Sequence, residues 1–179
     1  WQLFTYAFLH GGLFHLLLNM FALWMFGCEL ERYWGTRMFV KYALVTGIGA
    51  GICTVVVSPN LGIPTIGASG LIYGVLLAYG LLFPNRLIYL YFLFPIKAKH
   101  FVLIFGAIEL FASLSGPSDN IAHLAHLGGM LFGFVYLRYY SLISGLRRYY
   151  YQSKLRRHRR KFRVIEDEED SDDFGRTLH

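Results

Sequence analysis

Charge is what this chain has least of. Only 16% of its 179 residues are Asp, Glu, Lys or Arg, against about 25% in soluble domains, and most of those lie from Arg138 onward. A first stretch this poor in charge excludes an ordinary water-solvated surface. With 55% hydrophobic and 18% aromatic residues and a mean hydropathy of +0.43, the chain reads as an all-α, polytopic membrane protein. Residues 1–140 form its transmembrane core and 141–179 a polar tail. Cysteine is scarce too. Cys28 and Cys53 give no disulfide framework and are read as small apolar core residues on opposite faces of the bilayer. No secretory signal is recognisable. Trp1 is not an initiator, so the sequence is read as a fragment or a processed product.

Five apolar segments are expected to be spans: Leu13–Gly27, Met38–Val57, Ala68–Phe83, Phe101–Leu114 and Ile121–Tyr140. Several fall short of the roughly 20 residues of a full crossing. The apolar stretch Leu87–Phe94, bounded by Pro84 and Pro95, is too short for a span and is read as an interfacial or loop segment. Lys and Arg are absent from Trp1–Gly12, Ser58–Gly67 and Ser115–Asn120. All 17 basic residues therefore fall on one side of this topology, which the positive-inside rule makes cytoplasmic. The N-terminus is then outside and the C-terminus inside. The tail, basic over Arg147–Arg163 and acidic over Glu166–Asp173, reads as a solvated cytoplasmic segment whose basic half lies against anionic lipid. No nucleic-acid partner is expected.

Against this background, ionisable and hydroxyl groups in the apolar runs stand out, because such groups in a membrane are costly. His15 and Asn19 are spaced i, i+4 on the first span and share a face. Ser69 opens the third span, and His126 lies a few residues into the fifth. At about 1.5 Å per residue the four belong to one depth in the outer half of the membrane. Gly70 and Gly74, and Gly129 and Gly133, form two Gly-x-x-x-Gly pairs, which permit close helix crossing and favour contact between the third and fifth spans. A serine hydroxyl needs a base to become nucleophilic. A neutral imidazole from another helix supplies one near neutral pH, while an Asn amide, an imidazole N–H and backbone N–H groups at a helix N-terminus stabilise an oxyanion. Glu109 sits mid-span and Asp119 in an outer loop, so no carboxylate is expected to orient the imidazole, and a Ser69–His126 dyad is favoured over a triad.

These residues resemble the rhomboid intramembrane serine proteases. The matching pieces are His10-Gly-Gly-Leu-Phe-His15-Leu-Leu-Leu-Asn19, Gly67-Ala68-Ser69-Gly70, and Ala125-His126-Leu127-Gly128-Gly129 with Gly133. The resemblance implies that Ser69 is the nucleophile, His126 the base, and His15 and Asn19 the transition-state donors, with Gly67, Gly70, Gly74, Gly129 and Gly133 supporting helix packing. It implies cleavage of single-span membrane proteins within the lipid bilayer, near the outer face, beside a small residue in an unwindable helix. It implies no metal and no cofactor. Basic bacterial-type members have six spans, so a first span is expected upstream. Trp1-Gln2 stands where a Trp-Arg pair is frequent. The fourth span is the one thought to move aside for substrate, which makes Phe101, Phe105 and Phe111 gate-lining candidates. Their alternative role is lipid or bundle packing.

Two other classes remain open at this point. One is an inactive rhomboid-like binder of transmembrane segments, although neither the serine nor the histidine of the motif is lost. The other is a metal-dependent membrane protein using His10, His15, His123 and His126, for which no acidic or cysteine ligand is apparent.

Overall fold

A computed structural model of the chain describes residues 1–57, 65–90, 93–114 and 120–161. Trp1–Tyr140 and Ser141–His179 form two compact units. The first contains a short helix α1 (Gln2–Thr5), then α2 (Leu13–Ala22), α3 (Cys28–Trp34), α4 (Thr36–Val57), α5 (Ser69–Leu82), strands β1 (Leu87–Leu90) and β2 (Phe94–Lys97), α6 (Ala98–Leu114) and the first part of α7 (Asn120–Lys161). In the second unit the described chain is helical, with Leu142, Leu146, Tyr150 and Leu155 exposed. The acidic half of the tail, the expected outer segments at 58–64 and 115–119, and Asp119 lie outside the described residues.

The expected first span does not stop at Gly27. A π-helical turn, Leu23–Gly27, joins α2 to α3, so Leu13–Trp34 is one 22-residue apolar helix. Gly27 is a packing glycine: a Cβ there would sit 3.1 Å from Phe39 Cζ. The true stop is Gly35, at φ +79°, where its N–H donates to Glu31 O at 2.7 Å in the manner of a glycine helix terminator. Leu13–Trp34 and Thr36–Val57 are both long and apolar enough to cross a membrane; α5 is apolar but has 14 residues. The Leu87–Phe94 stretch is no span. It supplies β1 and enters β2 of an antiparallel hairpin pairing Leu87 with Lys97 and Leu90 with Phe94.

Between membrane helices the hydrophobic effect gives little attraction, so close packing and hydrogen bonds hold the bundle. α4 supplies that surface, with Thr46, Gly47, Gly49, Ala50, Gly51 and Thr54 all buried. At Gly49 an added Cβ would lie 2.2 Å from Phe132 Cγ, so only glycine admits that ring. The buried Tyr42 hydroxyl donates to Gly74 O at 2.6 Å, and the Tyr6 hydroxyl donates to Gly47 O at 2.6 Å. Meanwhile large apolar side chains such as Leu13, Phe14, Trp24, Val56, Leu103 and Leu131 face outward. A small-residue interior inside an apolar exterior is the arrangement of a helical membrane bundle.

Candidate active site

His15 and Asn19, expected from the sequence as transition-state donors, assemble around Gly67. Its φ of +105° is disfavoured for any residue with a side chain, and a Cβ there would lie 2.7 Å from His15 Cε1, 2.9 Å from His15 Nε2 and 3.6 Å from Asn19 Nδ2. Its N–H donates to Tyr6 O at 3.0 Å, pinning the approach to α5. The structure thus brings His15 and Asn19, one turn apart on α2, against the backbone two residues before Ser69. Gly11 N–H donates to His15 Nδ1. That bond assigns the ring proton to Nε2, which with Cε1 forms the ring edge turned toward Gly67. Asn19 is buried, and its Nδ2 has no partner among the described residues, which leaves an unspent donor where buried polar groups are normally satisfied. His10 lies outside this set: its ring meets His15 edge-on at 5.2 Å and its Nδ1 donates to Phe8 O.

Ser69 is the first residue of α5 and is half-buried. The opening N–H groups of a helix lack intrahelical partners, so the backbone around Ser69 presents donors. Gly70 lies between α4 and α7, with Ala50 Cβ of α4 2.5 Å from where a Cβ on Gly70 would stand. A Cβ on Gly129 would lie 1.8 Å from Gly70 O, and one on Gly70 would lie 3.1 Å from Ala125 O. Gly74 does the same: a Cβ there would lie 2.5 Å from Thr46 Cγ2 on α4 and 3.0 Å from Gly129 O on α7. Gly133 instead faces α4, at Tyr42 and Thr46. Gly129 therefore makes the α5–α7 crossing, Gly70 and Gly74 fit α5 against both α4 and α7, and Gly133 seats α7 on α4.

Next to this crossing, Tyr73 stacks on His126 with ring centroids 4.2 Å apart and planes 12° from parallel. Tyr73 is four residues from Ser69, hence on the same face of α5. The face that starts with the Ser69 hydroxyl thus continues onto the His126 ring. Among the described residues no hydrogen bond joins Ser69 Oγ to an imidazole.

The expectation that no carboxylate accompanies His126 is corrected here. Glu109, on α6 and 7% exposed at its side chain, lies 2.9 Å through Oε2 from His126 Nδ1 and 2.6 Å from His123 Nδ1, while Tyr73 donates its hydroxyl to Oε1. The His123 contact is an aligned hydrogen bond. That to His126 is close but off the hydrogen-bonding direction, and Nδ1 otherwise has no partner among the described residues. Sequence spacing missed Glu109 because its depth depends on where α6 starts after the hairpin. Tyr73 had a signal, its i+4 spacing from Ser69. Of the gate candidates, Phe101 is buried against Phe26 and Phe105, and Phe111 is exposed.

A family model described as a Rhomboid domain matches residues 1–143. The chain belongs to the rhomboid family. It is 35% identical over 136 residues to rhomboid protease GluP of Bacillus subtilis, covering 75% of this chain and 25% of that protein. It is 34% identical over 137 residues to putative rhomboid protease YdcA of the same organism, covering 75% of this chain and 64% of the relative. Yeast mitochondrial rhomboid protein 1 is 33% identical over 141 residues, with 75% and 40% covered. The chain thus spans between a quarter and about two thirds of these relatives' lengths, and its bundle is the rhomboid-like helical membrane fold.

Proposed function

We propose that this rhomboid-family chain carries an intramembrane serine endopeptidase site that cleaves transmembrane segments of single-span membrane proteins through a Ser69–His126 dyad. The observation that supports it most is the Tyr73–His126 stack beside the Gly70–Gly129 crossing, which puts the base one turn along the nucleophile's face. The names of the relatives, two of them called proteases, agree with it.

In this reading His126 turns Nδ1 toward Glu109, leaving Nε2 to accept the Ser69 proton as Oγ bonds to the scissile carbonyl carbon. Negative charge moves to the carbonyl oxygen, where His15 Nε2–H, Asn19 Nδ2 and the Ser69 backbone N–H donate to it. The C–N bond then breaks, the amine leaves with the proton held by His126, and water repeats the sequence to release the acyl group and restore Ser69. Glu109 and Tyr73 are positioning residues: the stack fixes the ring plane and the carboxylate favours the Nδ1–H tautomer, as the buried acid does in hydrolytic triads. No metal or cofactor takes part in these steps. The charge asymmetry supports a site toward the extracytoplasmic side with the C-terminus in the cytoplasm.

Labelling by a serine-reactive fluorophosphonate, read beside cleavage of a reporter membrane helix, tests this. Wild-type protein should label and cleave, and Ser69→Ala should do neither while keeping its thermal unfolding profile. Cleavage surviving in Ser69→Ala rejects the proposal.

A further inference from the structure

The cluster on the far side of His126 is a set of metal ligands in its own right. His123 and His126, i and i+3 on α7, turn Nδ1 atoms toward one carboxylate oxygen of Glu109, and the three donor atoms lie within 4.8 Å of one another. We propose that Glu109, His123 and His126 bind a zinc-like divalent transition cation, and that binding switches the hydrolytic site off.

Four observations carry this. Two imidazole nitrogens with one carboxylate oxygen are a donor set that zinc accepts, with an open position left for water. The present N···O separations are 2.6 and 2.9 Å. Ligands at about 2.0–2.1 Å from a tetrahedral ion sit about 3.3 Å apart, so side-chain shifts of under about 1 Å would admit one. Glu109 is buried, and its ion-pair partners among the described residues are these two histidines alone, with no Lys or Arg; a buried carboxylate calls for compensation. Finally, His126 Nδ1 is buried with no aligned partner, and the Tyr73 hydroxyl holds the other carboxylate oxygen, as outer partners commonly orient ligating carboxylates. His123 and His126 keep 26% and 15% of their side-chain surface, a route of entry for an ion.

The switch follows from imidazole chemistry and rests on the dyad reading above. A neutral ring carries one proton. With Nδ1–H turned to Glu109, Nε2 has a free lone pair to take the serine proton. Metal coordination uses the Nδ1 lone pair, so the proton must reside on Nε2, which becomes a donor and no longer a base. Cation occupancy and general-base function are therefore mutually exclusive states of His126.

The test uses the full chain in detergent micelles, titrated with Co²⁺ and then Zn²⁺, and assayed for reporter cleavage with and without chelator. Wild-type protein should bind one Co²⁺ with visible ligand-field absorption that Zn²⁺ bleaches, and Zn²⁺ should block cleavage reversibly. His123→Ala, and His123→Gln, which keeps a hydrogen bond to Glu109 while removing the imidazole, should lose affinity by on the order of 100-fold or more. Both should cleave as wild type in chelator and resist Zn²⁺. No stoichiometric Co²⁺ site, or equal affinity in both His123 variants, overturns the cation site. Equal Zn²⁺ inhibition in wild type and variants overturns the switch. Co²⁺ binding in a protein that never cleaves, even in chelator, overturns the switch and the protease reading but leaves the site standing.

Discussion

Replacing Gly129 with alanine tests the helix crossing that sets the site. A Cβ at 129 would lie 1.8 Å from Gly70 O and 2.7 Å from Gly70 C. Carbon–oxygen contacts in proteins begin near about 3.3 Å, so α5 and α7 would have to part by about 1.5 Å. Both atoms it strikes are backbone, so no side-chain rotation relieves it. Overpacking of this kind costs about 1–3 kcal/mol. Gly70 adjoins Ser69, and Ala125, its neighbour across the crossing, adjoins His126, so the separation falls on the proposed reacting pair. A displacement of about 1 Å can cost about 100-fold in rate. Gly129→Ala should therefore lose about 100-fold or more in kcat for reporter cleavage, with a lowered unfolding temperature in detergent. Gly145→Ala, with nothing within 4 Å of the added Cβ, should match wild type in both. Wild-type cleavage and fluorophosphonate labelling in Gly129→Ala would show that this contact does not align Ser69 with His126.

Two further substitutions probe the groups around the proposed dyad. Glu109→Gln should lower kcat by up to about 10⁴-fold, the loss that a wrong tautomer causes in a triad, with little change in KM. An unchanged kcat would mean that Glu109 is only structural. Asn19→Ala should cost about 10²–10³-fold in kcat, as loss of one oxyanion donor does, with substrate binding retained. A change confined to KM would remove Asn19 from the transition state.

Much of this architecture was legible in the chain because its signals are local. Long uncharged runs marked the helices, the i, i+4 spacing of His15 and Asn19 put them on one face, and paired glycines marked surfaces for close approach. What stayed hidden depends on how separate helices are rotated and how deep they sit. Gly27 and Gly35 are both glycines near the end of an apolar run. Only packing against Phe39 distinguishes the one inside the helix from the one that ends it. The hairpin after α5 was invisible as such because short apolar stretches read alike as strand or loop.

By itself the sequence determined that the chain is a helical membrane bundle of the rhomboid type, and named Ser69, His126, His15 and Asn19 as residues to examine, because residue type and spacing along one helix fix composition and facing. Only the tertiary structure decided that Tyr73 covers His126, that Gly133 packs against α4, and that Glu109 stands between two histidines. Those neighbours come from helices far apart in sequence, and their register is set by which backbones can touch, a property that no single helix carries.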